Sequence, residues 1–160
     1  MREKRIETVI RVFDSPETLP ASDRELLNRA RASLEVAYAP YSGFLVGAAV
    51  RLENGQIVPG SNQENAAYPM CLCAERVALA AAAAGFPKVP VRAIAVTARS
   101  RRRRLDTPAA PCGACRQVIC ETEERYGCPI AIILQGATGP VYKLHSGREL
   151  LPLAFSGASL

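Results

Sequence analysis

The sequence predicts an α/β fold, a three-layer α-β-α sandwich built on a mixed sheet of about five strands. Three observations lead there. Hydrophobic periodicity alternates between helix and strand spacing in the order α-β-β-α-β-α-β-β. Asn54-Gly55 sits between two strand-like runs, the strongest short hairpin signal. Only residues 135–140 separate the last two strand-like runs. A parallel crossover needs about a dozen residues or more, so these two strands are predicted to be antiparallel.

Each element follows from its residues. The β-branched stretch 4–13 suits a short leading strand or an extended arm. After Pro16 and Pro20, Ser22 reads as an N-cap with Glu25 completing a capping box. Leu26, Leu27, Ala30, Leu34 and Ala37 recur at helical spacing and predict a first helix over 23–37, ended by Pro40. Residues 44–52 and 56–58 flank the Asn-Gly turn as strands. The alanine-rich run that begins at Cys73 is a helix by propensity, stopped at Gly85 and Pro87. Residues 91–98 read as a buried strand and 99–110 as a basic loop. Pro111 suits a first helical position, which predicts a helix over 112–126 stopped by Gly127. Residues 129–134 and 141–144 complete the sheet.

The 160 residues suit one domain, and 49% hydrophobic content is enough for a sizeable core. With no Trp and only 6% aromatics, that core must be aliphatic. The net charge of +5 equals the five arginines between Arg99 and Arg104, so basicity is local to one loop. The longest apolar run, 77–86, falls far short of the roughly 20 residues that span a bilayer. MREKRIETVI has no signal-peptide core, so a cytoplasmic protein with no membrane association is expected. Its six cysteines are then thiols or metal ligands and not disulfides.

Two motifs carry chemistry: Cys73-Ala74-Glu75, and Pro111-Cys112-Gly113-Ala114-Cys115. Cys-x-x-Cys at a helix start puts two thiols about one turn apart on one face. Cys73 opens another helix, and the positive end of each helix favours thiolate. Three protein ligands leave one tetrahedral position for water, the pattern of a catalytic zinc site. Glu75 can then lie beside the metal without binding it. A lone Cys-x-x-Cys would also fit a redox pair or half of a structural zinc site. No thioredoxin-like context surrounds the pair, and the only His, His145, is placed remotely in a strand.

The stretches Ala39-Pro-Tyr-Ser-Gly-Phe-Leu-Val-Gly-Ala-Ala49, Asn62-Gln-Glu-Asn-Ala-Ala-Tyr68, Cys73-Ala-Glu-Arg76, Pro111-Cys-Gly-Ala-Cys-Arg-Gln117 and Leu150-Leu-Pro-Leu-Ala-Phe155 resemble the homotetrameric zinc-dependent cytidine deaminases. The resemblance spans roughly residues 22–156, leaving 1–21 as an N-terminal extension and 22–160 as the catalytic domain. It implies one Zn²⁺ per chain on Cys73, Cys112 and Cys115, and hydrolytic deamination of free cytidine and deoxycytidine in pyrimidine salvage. By the same resemblance, Glu75 takes a proton from the attacking water, passes it to ring N3 and then protonates the departing amine. Asn62 and Glu64 are implied to hold the ribose hydroxyls. Phe44 lines the base pocket, Ala74 belongs with the substrate-binding residues, and Phe155 reaches the site from a neighbouring subunit. Ala109-Ala110 stand where the family often has Ser or Thr, without touching a motif residue.

Arg76 is placed beside the metal, where a guanidinium offsets the net −1 of zinc with three thiolates. Cys71, Cys120 and Cys128 are read as small hydrophobic residues. The Arg99–Arg104 run is read as a solvated loop that contributes little to nucleoside turnover, since nucleic-acid surfaces interleave aromatics and this segment has none. Rival readings are a deaminase for another cytosine-bearing molecule such as a nucleoside antibiotic, a nucleic-acid editing deaminase, and a non-catalytic zinc module. The editing class usually has His where this chain has Cys73, and joins its last strands in parallel through a helix. A structural zinc module has no use for Glu75.

Overall fold

Small and β-branched residues dominate Phe44–Leu52 and Val91–Ser100, and these two runs form the middle of the sheet. The computed structural model describes residues 1–157 and 160. Along the chain the elements are β1 (Arg11–Phe13), α1 (Ala21–Ala32), β2 (Phe44–Leu52), β3 (Ile57–Ser61), α2 (Ala74–Gly85), β4 (Val91–Ser100), α3 (Gly113–Tyr126), β5 (Ala131–Gln135) and β6 (Val141–Leu144), with short 3₁₀ turns between some of them. The sheet order is β1-β6-β5-β4-β2-β3. β4 and β5 pair in parallel through the α3 crossover, and the other described pairs are antiparallel.

Side chains alternate across β4. Ala93 and Ala95 face α1, packing with Leu26, Leu27, Ala30 and Ile133. Ile94 and Val96 face the opposite layer, with Ala78, Leu79 and Ile119 of α2 and α3. The α-β-α sandwich is therefore as expected, with the larger aliphatics on the two-helix side. Two glycines permit the closest helix contacts. A Cβ on Gly47 would lie 2.1 Å from Ala30 O in α1. A Cβ on Gly60 would lie 2.5 Å from Ala74 O and from Ala78 N in α2. Gly60 thus sets how deeply the first turn of α2 sits on β3.

On the α1 face, buried Asp23 accepts from Arg51 at 3.4 Å and from Lys143 Nζ. This cluster ties α1 to β2 and β6. A buried carboxylate needs such partners, because an unpaired one carries a desolvation penalty of several kcal/mol.

Several expectations are corrected. The sheet has six strands, because Arg11–Phe13 pairs with β6 at the edge and extends the predicted set of about five. The first helix starts at Ala21 with Pro20 at its N-cap and no side-chain cap, so the Ser22–Glu25 capping box does not form. Pro20 O instead accepts from Asp23 N and Arg24 N, closing the first turn with the main chain. That helix ends at Ala32 and tightens into a 3₁₀ turn over Ser33–Val36, whereas 23–37 was expected as one helix. β4 continues to Ser100 and takes Arg99 out of the loop. Pro111 precedes the N-cap Cys112 and is not a first helical residue. His145 follows β6 outside the strand. The antiparallel β5–β6 pair is as the short connection predicts.

Candidate active site

Cys73 and Cys112 occupy equivalent positions at two different helices. Each is the N-cap, with extended backbone, and each carbonyl closes the first helical turn: Cys73 O accepts from Val77 N at 3.1 Å and Cys112 O from Arg116 N at 3.0 Å. Cys115 lies in the first turn of α3 and is buried. The two helix starts bring all three sulfurs within 4.8 Å of one another, and among the described residues this is the one such group of three metal-binding side chains. Sγ of Cys73 and Cys112 are 3.9 Å apart, and those of Cys112 and Cys115 are 3.5 Å apart. A tetrahedral zinc with Zn–S bonds near 2.3 Å places its sulfurs about 3.8 Å apart, so the donor set and its spacing fit Zn²⁺.

Electrostatics favour thiolate at this point. The Cys73 thiol is lowered to about 5, first by its hydrogen bond with Cys115 and then by the neighbouring Arg76 guanidinium and Cys112. The same Cys115 contact, with burial, pushes Cys115 the other way. Arg76 Nη2 donates to Cys71 O at 2.9 Å and lies 4.0 Å from Cys73 Sγ. Its Nε is buried with no hydrogen-bond partner among the described residues. A guanidinium is held at the thiol cluster as a fixed positive charge, where it offsets the thiolates.

Glu75 sits in the first turn of α2, only 4% exposed. Burial raises its carboxyl above the ordinary value. A carboxyl that is easily protonated suits a group that must both take and give a proton. Glu75, Cys73 and Cys112 line a cavity of about 390 Å³. Phe44, Asn62 and Glu64 line the same cavity, with Val46, Leu72 and Val96 among its apolar walls.

Asn62 bridges β2: its Oδ1 accepts from Val46 N at 2.8 Å and its Nδ2 donates to Phe44 O at 2.9 Å. Glu64 is gripped by the turn before β2, accepting from Tyr41 N at 2.8 Å, from Ser42 N at 3.3 Å and from Ser42 Oγ. Burial acts to raise the Glu64 pKa, but the hydrogen bonds from Ser42 and Tyr41 outweigh it and the carboxyl lies below its ordinary value. Glu64 therefore stays an acceptor well below neutral pH.

Of the remaining expected residues, Ala74 is fully buried beneath Gly60 and does not line the cavity. Phe155 is 62% exposed and Leu153 83% exposed. The main chain of Phe155 is tied back to α3, where Gln117 Nε2 donates to its carbonyl at 2.8 Å. Cys71 lines the cavity rim and its sulfur meets Asn65, while Cys120 is buried within α3. Cys128 lies near Val91 O.

The sequence reading gave Ser42 no role, although its hydroxyl donates to Glu64 and its Oγ accepts from Phe44 N at 2.9 Å. Ala109 and Ala110 also line the cavity, which their position before the second motif had not indicated. A Ser beside Pro40 and Gly43 in a turn is a signal for a side-chain hydrogen bond, but it does not name the partner.

A profile of the cytidine and deoxycytidylate deaminase zinc-binding region matches residues 20–126. A cytidine deaminase from Halalkalibacterium halodurans is 40% identical over 141 residues, covering 86% of this chain and 98% of the relative. One from Sporosarcina psychrophila is 44% identical over 136 residues, covering 85% and 93%. The crystal structure of cytidine deaminase from Burkholderia pseudomallei superposes with a TM-score of 0.71 at 42% identity, covering 82% of this chain and 97% of that one.

Proposed function

The chain belongs to the cytidine deaminase family, and from that membership we propose that it converts free cytidine and deoxycytidine to uridine and deoxyuridine, releasing ammonia. It is a zinc-dependent enzyme. Residues 22–160 are proposed as its catalytic domain and 1–21 as an N-terminal extension, of which Arg11–Phe13 adds an edge strand to the sheet. The observation that carries the reading is the shared cavity: Cys73 and Cys112 of the three-thiol cluster and the buried Glu75 line it together with the Asn62 amide and the Glu64 carboxylate.

Cys73, Cys112 and Cys115 hold the zinc. When bound there, zinc supplies Lewis acidity that makes water a nucleophile near neutral pH. Glu75 accepts a proton from the attacking water and delivers it to ring N3 while oxygen adds at C4. It then delivers the second proton to the 4-amino group, so that the C4–N bond breaks, ammonia leaves and C4 becomes a carbonyl. Asn62 and Glu64 hold the ribose hydroxyls, and the Phe44 ring packs on the base. Ala74 contributes at most its main chain, since its side chain is buried.

The enzyme is proposed to act in the cytoplasm as a homotetramer, without nucleic-acid partners. No described helix is long and apolar enough to cross a membrane. The test of function is an absorbance assay with cytidine, deoxycytidine, cytosine and a cytosine-containing oligonucleotide. Turnover of both nucleosides and of neither other compound is expected. Turnover of the oligonucleotide alone would overturn the reading.

Phe155 is proposed to complete a neighbouring subunit's site. An aromatic ring 62% exposed, on a segment pinned to α3, is presented outward and does not cap its own core. Phe155→Ala is expected to raise KM at least about tenfold, the scale of losing one large apolar contact, while zinc content stays full. Reassembly of inactive Glu75→Gln chains with Phe155→Ala chains should restore some intact sites. An active monomer in sedimentation, or no recovery in properly mixed oligomers, would sink the proposal.

A further inference from the structure

We propose that Arg102, in the basic loop that lies outside the family's motifs, is a positioning residue for the ribose end of the site. The proposal rests on the reading of Glu64 as a ribose ligand given above. The sequence leaves the Arg99–Arg104 run as a solvated loop, and four of its five arginines are consistent with that. Arg101, Arg103 and Arg104 are exposed, with Arg104 near Asp106 at 3.9 Å, and Arg99 meets Glu35 on the surface at 3.2 Å. Arg102 differs. Its Nη2 donates to Tyr41 O at 2.8 Å.

Tyr41 belongs to the turn that grips Glu64. Tyr41 N and Ser42 N donate to one oxygen of that carboxylate, and Ser42 Oγ donates to the other. The turn is closed by Gly43 N donating to Ala39 O at 3.1 Å. The loop clasps its outer side twice: through Arg102 on Tyr41 O, and through Arg101 N donating to Gly43 O at 2.9 Å. Gly43 makes this possible. Its φ of +65° suits glycine, and a Cβ there would already touch Arg101 Cβ at 3.4 Å. Arg102 therefore fixes the main chain of the residue whose N–H holds Glu64, and sets a positive charge behind that carboxylate. The chain of contacts runs from guanidinium to Tyr41, and from Tyr41 and Ser42 to Glu64, which faces the cavity. A donor lost from the outer end lets the turn relax and the carboxylate wander from its aim at the sugar.

The test measures KM for cytidine and, against it, the Ki of 2′,3′-dideoxycytidine, which lacks the hydroxyls that Glu64 is proposed to hold. Arg102→Ala is expected to raise KM for cytidine by about 3- to 10-fold, the scale of one hydrogen bond to a charged or aligned group. Its kcat, zinc content and thermal midpoint should stay near wild type, and the dideoxycytidine Ki should not move. Arg102→Lys keeps a donor and a charge and should recover most of the loss. Arg101→Ala, Arg103→Ala and Arg104→Ala should behave as wild type. An unchanged cytidine KM in Arg102→Ala overturns the inference. So does an equal rise for both compounds, or a loss shared by the other arginine variants. Glu64→Gln separates the two readings: if it leaves the cytidine-to-dideoxycytidine ratio intact, the ribose role of Glu64 fails. If it collapses the ratio and Arg102→Ala does not, only the role of Arg102 fails.

Discussion

Cys112→Ala is expected to lose zinc and activity together. The three sulfurs reach one point only because two helix starts converge, with Cys112 at 3.9 Å from Cys73 and 3.5 Å from Cys115. Removing the central sulfur leaves two ligands that cannot hold a catalytic metal, which needs three protein ligands to leave one position open. Metal analysis of the purified variant should give close to none, and turnover should fall to background. The thermal midpoint should also drop, because a ligand that binds only the folded chain stabilises it. Cys120→Ala is the control. It lies on the same helix and is buried, but stands outside the cluster, so zinc and turnover should both survive. Full zinc content in Cys112→Ala would refute the ligand assignment.

Glu75→Gln is expected to keep zinc and lose catalysis. Glutamine preserves the shape of a side chain that is 4% exposed, so folding and the cavity should be retained. It cannot carry a proton between water, ring and amine, and kcat should fall at least ~100-fold, the lower end for losing general acid–base catalysis. The readout pairs metal analysis with kcat under saturating cytidine. Retained zinc with wild-type kcat would remove Glu75 from the mechanism. Lost zinc would instead make Glu75 a support of the metal cluster.

Much of this was legible in the chain because its signals are local. Asn54-Gly55 turns β2 into β3, with Gly55 at φ +85°. Gly127 stops α3 in the left-handed conformation at φ 62°. The Cys-Ala-Glu and Cys-x-x-Cys spacings state their chemistry within a few residues. The missing parts depend on partners far apart in sequence. Ser42 finds Glu64 across 22 residues, Arg102 finds Tyr41 across 61, and Asp23 finds Lys143 across 120. No periodicity records such pairs. The unformed capping box at Ser22 has a different cause: Pro20 had already started the helix, so Ser22 lies inside it. The short strand β1 was open to either reading because its three residues gain little on their own, and pairing with β6 decides it.

The place of α3 in the topology has a kinetic consequence. α3 is the crossover between the parallel strands β4 and β5; its N-cap and first turn supply Cys112 and Cys115, while Cys73 caps α2, 39 residues before Cys112. The three sulfurs lie together with both helix starts docked on a sheet whose order places β4 between β2 and β5, so the full ligand set belongs to the folded chain. Interactions that form after the folding barrier do not speed the climb over it; they slow the return. Zinc is therefore expected to act as a latch on this chain and not as a seed. Refolding should run at the same pace with or without the ion, while escape from the loaded protein is slowed by the full strength of its binding.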